Sequence, residues 1–273
     1  MASKVVKFAS LGEFIDYANR ETDCKSRESH STYDAAWSGT KTYEDAVALS
    51  NGWVAGAKKI EKARVLVAPK GKAVRREVVM REAGPGVVSM GHYMAGHPQP
   101  YAVIKERNQP RNGKGKVVHV MVNISASSNV KRSVIERRGA AIVALVDALQ
   151  AAGRRVEVTA VEAINYSGNH LEYHITVKRA QDRLNLPTLA FALAHPAMLR
   201  RIVFAANESE GHEFFTEWVG FSYGMPADVH EKNRPTDCLY LGAMKGWEPN
   251  WESDARAERW VTETCAAQGV TLK

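Results

Sequence analysis

The sequence predicts a three-layer α/β domain with a mostly parallel sheet over residues 116–273, preceded by a smaller basic α+β region over residues 1–115. Two observations carry that expectation. Val117, Val118, Val120, Met121 and Val122 form a nearly continuous apolar run, as expected of a strand buried on both faces. Beyond it the pattern reads strand, helix, two strands, helices, strand, helix, an order that suits helices layered on a sheet. With 273 residues, of which 45% are hydrophobic, the chain has enough apolar material for such a core.

Ser10 and Glu13 have capping-box spacing, and Phe14, Ile15, Tyr17 and Ala18 continue as a short amphipathic helix. Thr42 with Asp45 starts a second helix through Ala46, Val47 and Leu49, and Gly52 ends it before Trp53. Alternation around Val65 and Val67, and again around Val74, Val78 and Val79, predicts strands with basic residues on their wet faces. The run REAGPGVVSMGHYMAGHPQPYAV holds too many Gly and Pro for a continuous helix and reads as loop with short strands.

After the apolar run, Ser133 and Glu136 have the spacing of another capping box, opening a helix with Ile142, Leu145, Val146 and Leu149 on one face and Gly153 at its end. RRVEVTAVEAI and LEYHITVK both alternate as strands, with Leu171, Tyr173, Ile175 and Val177 on one side. The turn signal NYSGN between them predicts a hairpin. Pro187 and the break at His195-Pro196 give two short helices, Thr188 to Ala194 and Ala197 to Phe204. A strand from Cys238 to Ala243 and a helix from Ser253 through Cys265, with Trp260, Val261 and Thr264 inward, complete the layout.

The net charge is +7, and its distribution is uneven. Lys58, Lys59, Lys62, Arg64, Lys70, Lys72, Arg75, Arg76 and Arg81 crowd one stretch opposed only by Glu61 and Glu77, and Lys105, Arg107, Arg111, Lys114 and Lys116 follow. From Glu208 onward the chain turns acidic. Such polarity suits a polyanion on the basic half, although a solvated face without a partner gives the same charge run. Trp37, Tyr43, Trp53, Tyr93 and Tyr101 are interleaved with the cations, the combination that follows phosphates and stacks bases on rings. For Tyr43 and Trp53, at helix ends, core packing is the competing role. The leading expectation is a nonenzymatic protein that binds single-stranded DNA, with its acidic part available to a polymerase or another protein.

No apolar run approaches the roughly 18 residues that a bilayer requires, and the start MASKVVKFAS lacks the apolar core of a signal peptide. A cytoplasmic setting without a membrane partner is expected. Cys24, Cys238 and Cys265 are odd in number and outside any CxxC pattern, which suits free thiols. RNGKGK lacks the spacing of a phosphate-binding loop, and neither GxSxG nor HExxH occurs. The pairs His92/His97 and His170/His174 have metal-ligand character but no evident third ligand. No cofactor is expected, and a metal-dependent hydrolase built on those histidines is the remaining enzymatic reading.

The stretch VVHVMVNISASSNV, followed at once by a long helix, resembles the first strand of the von Willebrand factor A-like family. That family places Asp-x-Ser-x-Ser at the strand end, and the matching residues here are Asn123, Ser125 and Ser127. The resemblance implies a site for a divalent cation, with Asp182, Asp228 or Asp237 as later-loop ligands. Asn123 lacks the charge that a hard cation favours, so a degenerate motif with no tightly held metal is expected. Simple turn hydroxyls bonding the backbone explain Ser125, Ser127 and Ser128 equally well. An interaction module gripping a protein partner with the face around Asn123 to Asn129 is the alternative function. The stretches WSGTKTYEDAVALSNGW, RRGAAIVALVDAL, HPAMLRR and WVTETCAAQGV also resemble an uncharacterised group of bacteriophage proteins. That likeness implies a host-cell cytoplasm and, by analogy with phage proteins of similar size, a transcription or replication accessory that recruits a polymerase.

Overall fold

The apolar run settles into the middle of a sheet and the rest of the chain is arranged around it. The computed structural model describes residues 3–20, 25–28, 32–64, 74–82, 87–108, 117–166, 168–210 and 225–270. Its strands are β1 (Ser3–Phe8), β2 (Val74–Arg81), β3 (Val87–Val88), β4 (Tyr101–Asn108), β5 (Val118–Asn123), β6 (Val156–Tyr166), β7 (Asn169–Lys178), β8 (Met225–Pro226) and β9 (Leu239–Leu241). The helices are α1 (Leu11–Ala18), α2 (Lys25–Glu28), α3 (Thr32–Ser38), α4 (Tyr43–Ser50), α5 (Val54–Arg64), α6 (Met90–Met94), α7 (Arg132–Ala151), α8 (Leu186–Ala194), α9 (Phe204–Glu208) and α10 (Asp254–Ala267). A π-helical segment, Met198–Val203, leads into α9.

The main sheet runs β1-β7-β6-β5-β9, and β8 pairs with the end of β6. Pairing is parallel for β1/β7, β5/β6 and β5/β9, and antiparallel for the β6/β7 hairpin and for β8. The fold is α/β with a mostly parallel sheet. Val120 and Val122 of β5, Val158 and Ala160 of β6, and Leu171, Tyr173 and Ile175 of β7 join one large core with Phe14, Ile142, Leu145, Leu149, Phe191 and Val261. On the opposite face Met121, Val161 and Ala163 meet Val229, Cys238 and Tyr240. Among the described residues the helices that pack on the main sheet gather on one face, and the coil between β8 and β9 covers part of the other, where the expected three layers put helices on both. The tight β6/β7 hairpin needs no crossover helix, which removes one source of a second helical layer.

β1, α1, α4 and α5 are part of this core: β1 is an edge strand of the main sheet, and Leu11, Phe14, Tyr43, Trp53 and Ile60 pack with residues beyond 116. Strands β2, β4 and β3 form a separate three-stranded sheet, in that order. The stretch at Val65 and Val67 lies outside the described residues.

Local signals explain most boundaries. Ser10 accepts the Glu13 N–H at 3.1 Å, while the Glu13 carboxylate reaches the Ala9 N–H at 2.6 Å. Thr42 and Asp45 make the full reciprocal box. The box expected at Ser133 does not form, because α7 begins at Arg132 and Glu136 bonds the Arg132 Nε at 2.6 Å, one turn away. Among the described residues no single helix is long and apolar enough to cross a membrane.

Candidate nucleic-acid interface and two polar centres

The basic residues divide between a helix and a ribbon. Lys58, Lys59, Lys62 and Arg64 lie on α5, which packs against α7 and α8, with Ala57 and Ile60 buried and Lys58 exposed. Lys70, Lys72, Arg111, Lys114 and Lys116 fall outside the described residues. Arg75, Arg76, Tyr101 and Arg107 lie on the antiparallel pair β2/β4. Its register sets Arg76 opposite Glu106 and Glu77 opposite Lys105, but Arg75 opposite Arg107. Like charges directly across a ladder repel. The segment joining β3 to β4 is open to solvent: Met90 is 63%, Tyr93 60% and Met94 78% exposed. His92 and His97 stack there with ring centroids 4.8 Å apart.

Of the five interleaved aromatics, three are committed to packing. Tyr43 and Trp53 are buried. The Trp37 indole N–H donates to the Ser128 carbonyl at 3.1 Å, and Arg200 lies over its ring. Tyr93 remains as an exposed ring and Tyr101 as a half-buried one.

At the C-terminal end of β5, the polar atoms of the Asn-x-Ser-x-Ser motif turn inward. Asn123 is fully buried; its amide donates to the Ala227 carbonyl at 2.7 Å and to the Tyr240 hydroxyl at 3.3 Å, and its oxygen accepts the Ser125 N–H at 3.0 Å. A carboxylate here could accept but not donate. Ser125 Oγ accepts the Ala163 N–H of β6 at 2.8 Å, standing in for a strand carbonyl where β5 has ended. The Ser127 N–H donates to Met244 O at 2.9 Å. Arg138, also buried, donates to Asn123 O at 2.8 Å and Gly242 O at 2.7 Å, tying the ends of β5 and β9 together. Desolvation pulls its guanidinium down to about 10, against the upward pull of Glu248 and Tyr240. It places a positive charge beside Asn123, which disfavours a cation at that point. Asp228 joins the network: it accepts from Tyr240 at 3.2 Å and the Ala243 N–H at 3.0 Å and pairs with Lys245 at 2.6 Å. Partial burial works upward on its carboxyl, but the bonds from Lys245 and Ala243 outweigh it and hold the group below its ordinary value. Asp182 instead bonds the Arg179 N–H in the turn after β7.

Two further polar centres lie on the sheet. On the face away from the helices, β7 presents His170, Glu172 and His174 in one row. Glu172 is fully buried, and both its oxygens are engaged: Oε1 by His170 Nε2 at 2.9 Å and the His230 N–H at 2.8 Å, Oε2 by His174 Nε2 at 2.7 Å and Asn233 Nδ2 at 2.9 Å. Burial alone would raise this carboxyl, but the four bonds win and hold it well below the usual range. The His230 ring rests on His170 with centroids 4.1 Å apart. On the helix face, Glu162 is buried with Asn207 as a hydrogen-bond partner at 3.1 Å, and desolvation pushes its carboxyl up to about 8. Glu162 Oε2 and Asn207 Oδ1 have no partner among the described residues.

The sequence reading paired His170 with His174 and missed Glu172, His230, Asn233, Arg138 and Glu162. The signal for Glu172 was available: in HLEYH a polar residue sits at every second position of a strand whose alternate positions are apolar. Cys238 and Cys265 are free thiols, and burial pushes Cys265 up to about 11, away from reactive thiolate character. Cys24 lies outside the described residues.

One family model, described as a domain of unknown function (DUF7192), matches residues 2–271. No curated protein and no solved structure matches the chain.

Proposed function

The chain belongs to the DUF7192 family, and from its own residues we propose that it is a nonenzymatic protein that binds single-stranded nucleic acid, DNA being the favoured form. The observation that carries the reading is the Arg75–Arg107 register on β2/β4. A ladder that sets two arginine positions in register suits anions on that pair of strands, and a phosphate backbone supplies a row of them. Across the two strands five cationic residues face two anionic ones. Exposed Tyr93, with Met90 and Met94 beside it, offers a ring and apolar surface for unstacked bases. Lys58 and the other cations of α5, together with Lys70, Lys72, Arg111, Lys114 and Lys116, extend the charge along the sequence. A cytoplasmic setting, in a host cell if the protein is phage-encoded, and a role as a transcription or replication accessory that recruits a polymerase complete the proposal.

The alternative, a protein-interaction module with a von Willebrand A-like face at Asn123, has less support, since Asn123 and Ser125 are buried and bond the protein's own groups. The paired substitution Arg75→Gln with Arg107→Gln separates binding from folding. Affinity for a labelled oligothymidylate falls and its salt dependence flattens, while thermal stability holds or rises because the repulsion is gone. Unchanged affinity in the folded double variant contradicts the assignment.

A further inference from the structure

The proton count of the Glu172 centre admits two arrangements. A neutral imidazole has one N–H. His170 Nδ1 lies 2.5 Å from Asn165 Oδ1, and its Nε2 lies 2.9 Å from Glu172 Oε1, so both ring nitrogens face acceptor oxygens. An imidazolium would donate to both oxygens; a neutral ring with Nδ1–H on Asn165 instead turns its Nε2 lone pair toward Glu172 Oε1, an arrangement that a cation ligated by both atoms would relieve. The ligand atoms of His170, Glu172 and His230 all lie within 4.8 Å of one another. Donors at about 2.0–2.2 Å from a tetrahedral ion stand about 3.3–3.6 Å apart, so the set must draw in on binding, and the exposed His230 side chain is the member on the solvent side that can swing toward the other two.

We propose that His170, Glu172 and His230 bind one divalent transition-metal ion of the zinc class. Two imidazoles and one carboxylate are borderline N/O donors, the set that such ions select over Mg²⁺ or Ca²⁺. The neighbours are those a metal site needs: Asn165 fixes the His170 tautomer by taking Nδ1–H, and His174 and Asn233 hold the far oxygen of Glu172. His170 and Glu172 are fixed on β7, so the entropy of ordering the site falls mainly on His230, which comes from the coil before β9. Three protein donors leave a fourth position for water on the exposed His230 side. This site is separate from the Asn123 motif and independent of the nucleic-acid reading.

The test uses the full chain, stripped with a chelator and titrated with Co²⁺, whose visible absorption reports low-symmetry N/O coordination, followed by displacement with Zn²⁺. The expected result is saturation at a single equivalent, reversal by Zn²⁺, and a rise in Tm on loading. His230→Ala, at an exposed position that leaves the fold intact, weakens binding by roughly tenfold or more and abolishes the Tm rise. His170→Gln does the same where it folds, and a His92→Ala/His97→Ala variant binds like the unaltered chain. No saturable absorption, or binding that survives His230→Ala and vanishes in the His92/His97 variant, overturns the proposal.

Discussion

Asn123 shows how one side chain decides between a metal ligand and a structural joint. Its amide is used in both senses, as donor to Ala227 and Tyr240 and as acceptor from Ser125, a combination that aspartate lacks. Glu162 is the opposite case, a carboxyl held where its charged form is disfavoured. Its pKa of about 8 in the fold lies above the ordinary value of 4.5, so the stability gained from its protonated form is complete below pH 4.5 and is lost as pH rises through about 8. Glu162→Gln removes this loss and lets the new amide bond Asn207 reciprocally, oxygen to Nδ2 and NH₂ to Oδ1. Urea unfolding across pH 5–9 is therefore predicted to show the variant more stable than the unaltered chain at the alkaline end, with the difference shrinking toward pH 5. A constant difference across that range contradicts the burial account of Glu162.

At the scale of elements, close approaches set the packing. A Cβ at Gly139 of α7 would sit 2.3 Å from Leu193 O and Ala194 Cα of α8, so the two helices meet where no side chain fits. Gly139→Ala forces them apart, and a loss of about 1–3 kcal/mol in denaturant unfolding is expected; a loss near zero means that the helices do not meet there. The elements legible in sequence were those with a single unambiguous period: β5, α7, the β6/β7 hairpin, the break at His195-Pro196 and α10 all stand where alternation, helical spacing or proline marked them. Among the elements that were not legible, β1 and α5 show why. β1 is interrupted by Lys4 and Lys7, and its pairing with β7 spans more than 160 residues of chain, information that no local window carries. In α5 Ala57 and Ile60 mark an inward stripe among lysines that obscure it. The buried Arg200 and Arg201 of the π-helical segment were equally hidden. They bond carbonyls of Trp37, Val130 and Ser26, partners fixed only by the tertiary fold.

For the whole molecule, the separation of a helix-covered sheet from the small β2-β4-β3 sheet changes how the charge is understood. The sequence marked a basic first half; the structure makes β1, α1, α4 and α5 part of the main core and leaves β2 and β4 as the basic ribbon. The candidate site was legible in composition, since Arg75, Arg76 and Arg107 stood out as cations, but not in arrangement, because the Arg75–Arg107 opposition depends on a strand register that charge counting does not contain. The small sheet should thus bear the nucleic-acid affinity, and its charge, not its apolar content, should control the strength of binding.

The most direct test is fluorescence anisotropy of labelled single-stranded and double-stranded DNA with the full chain across a salt series, with and without Mg²⁺. The account predicts preference for the single strand, no requirement for Mg²⁺ beyond its competition as a counterion, and log affinity falling linearly with log salt by about 0.7 for each phosphate neutralised. Absence of binding at low salt, or an affinity that salt leaves unchanged, contradicts it.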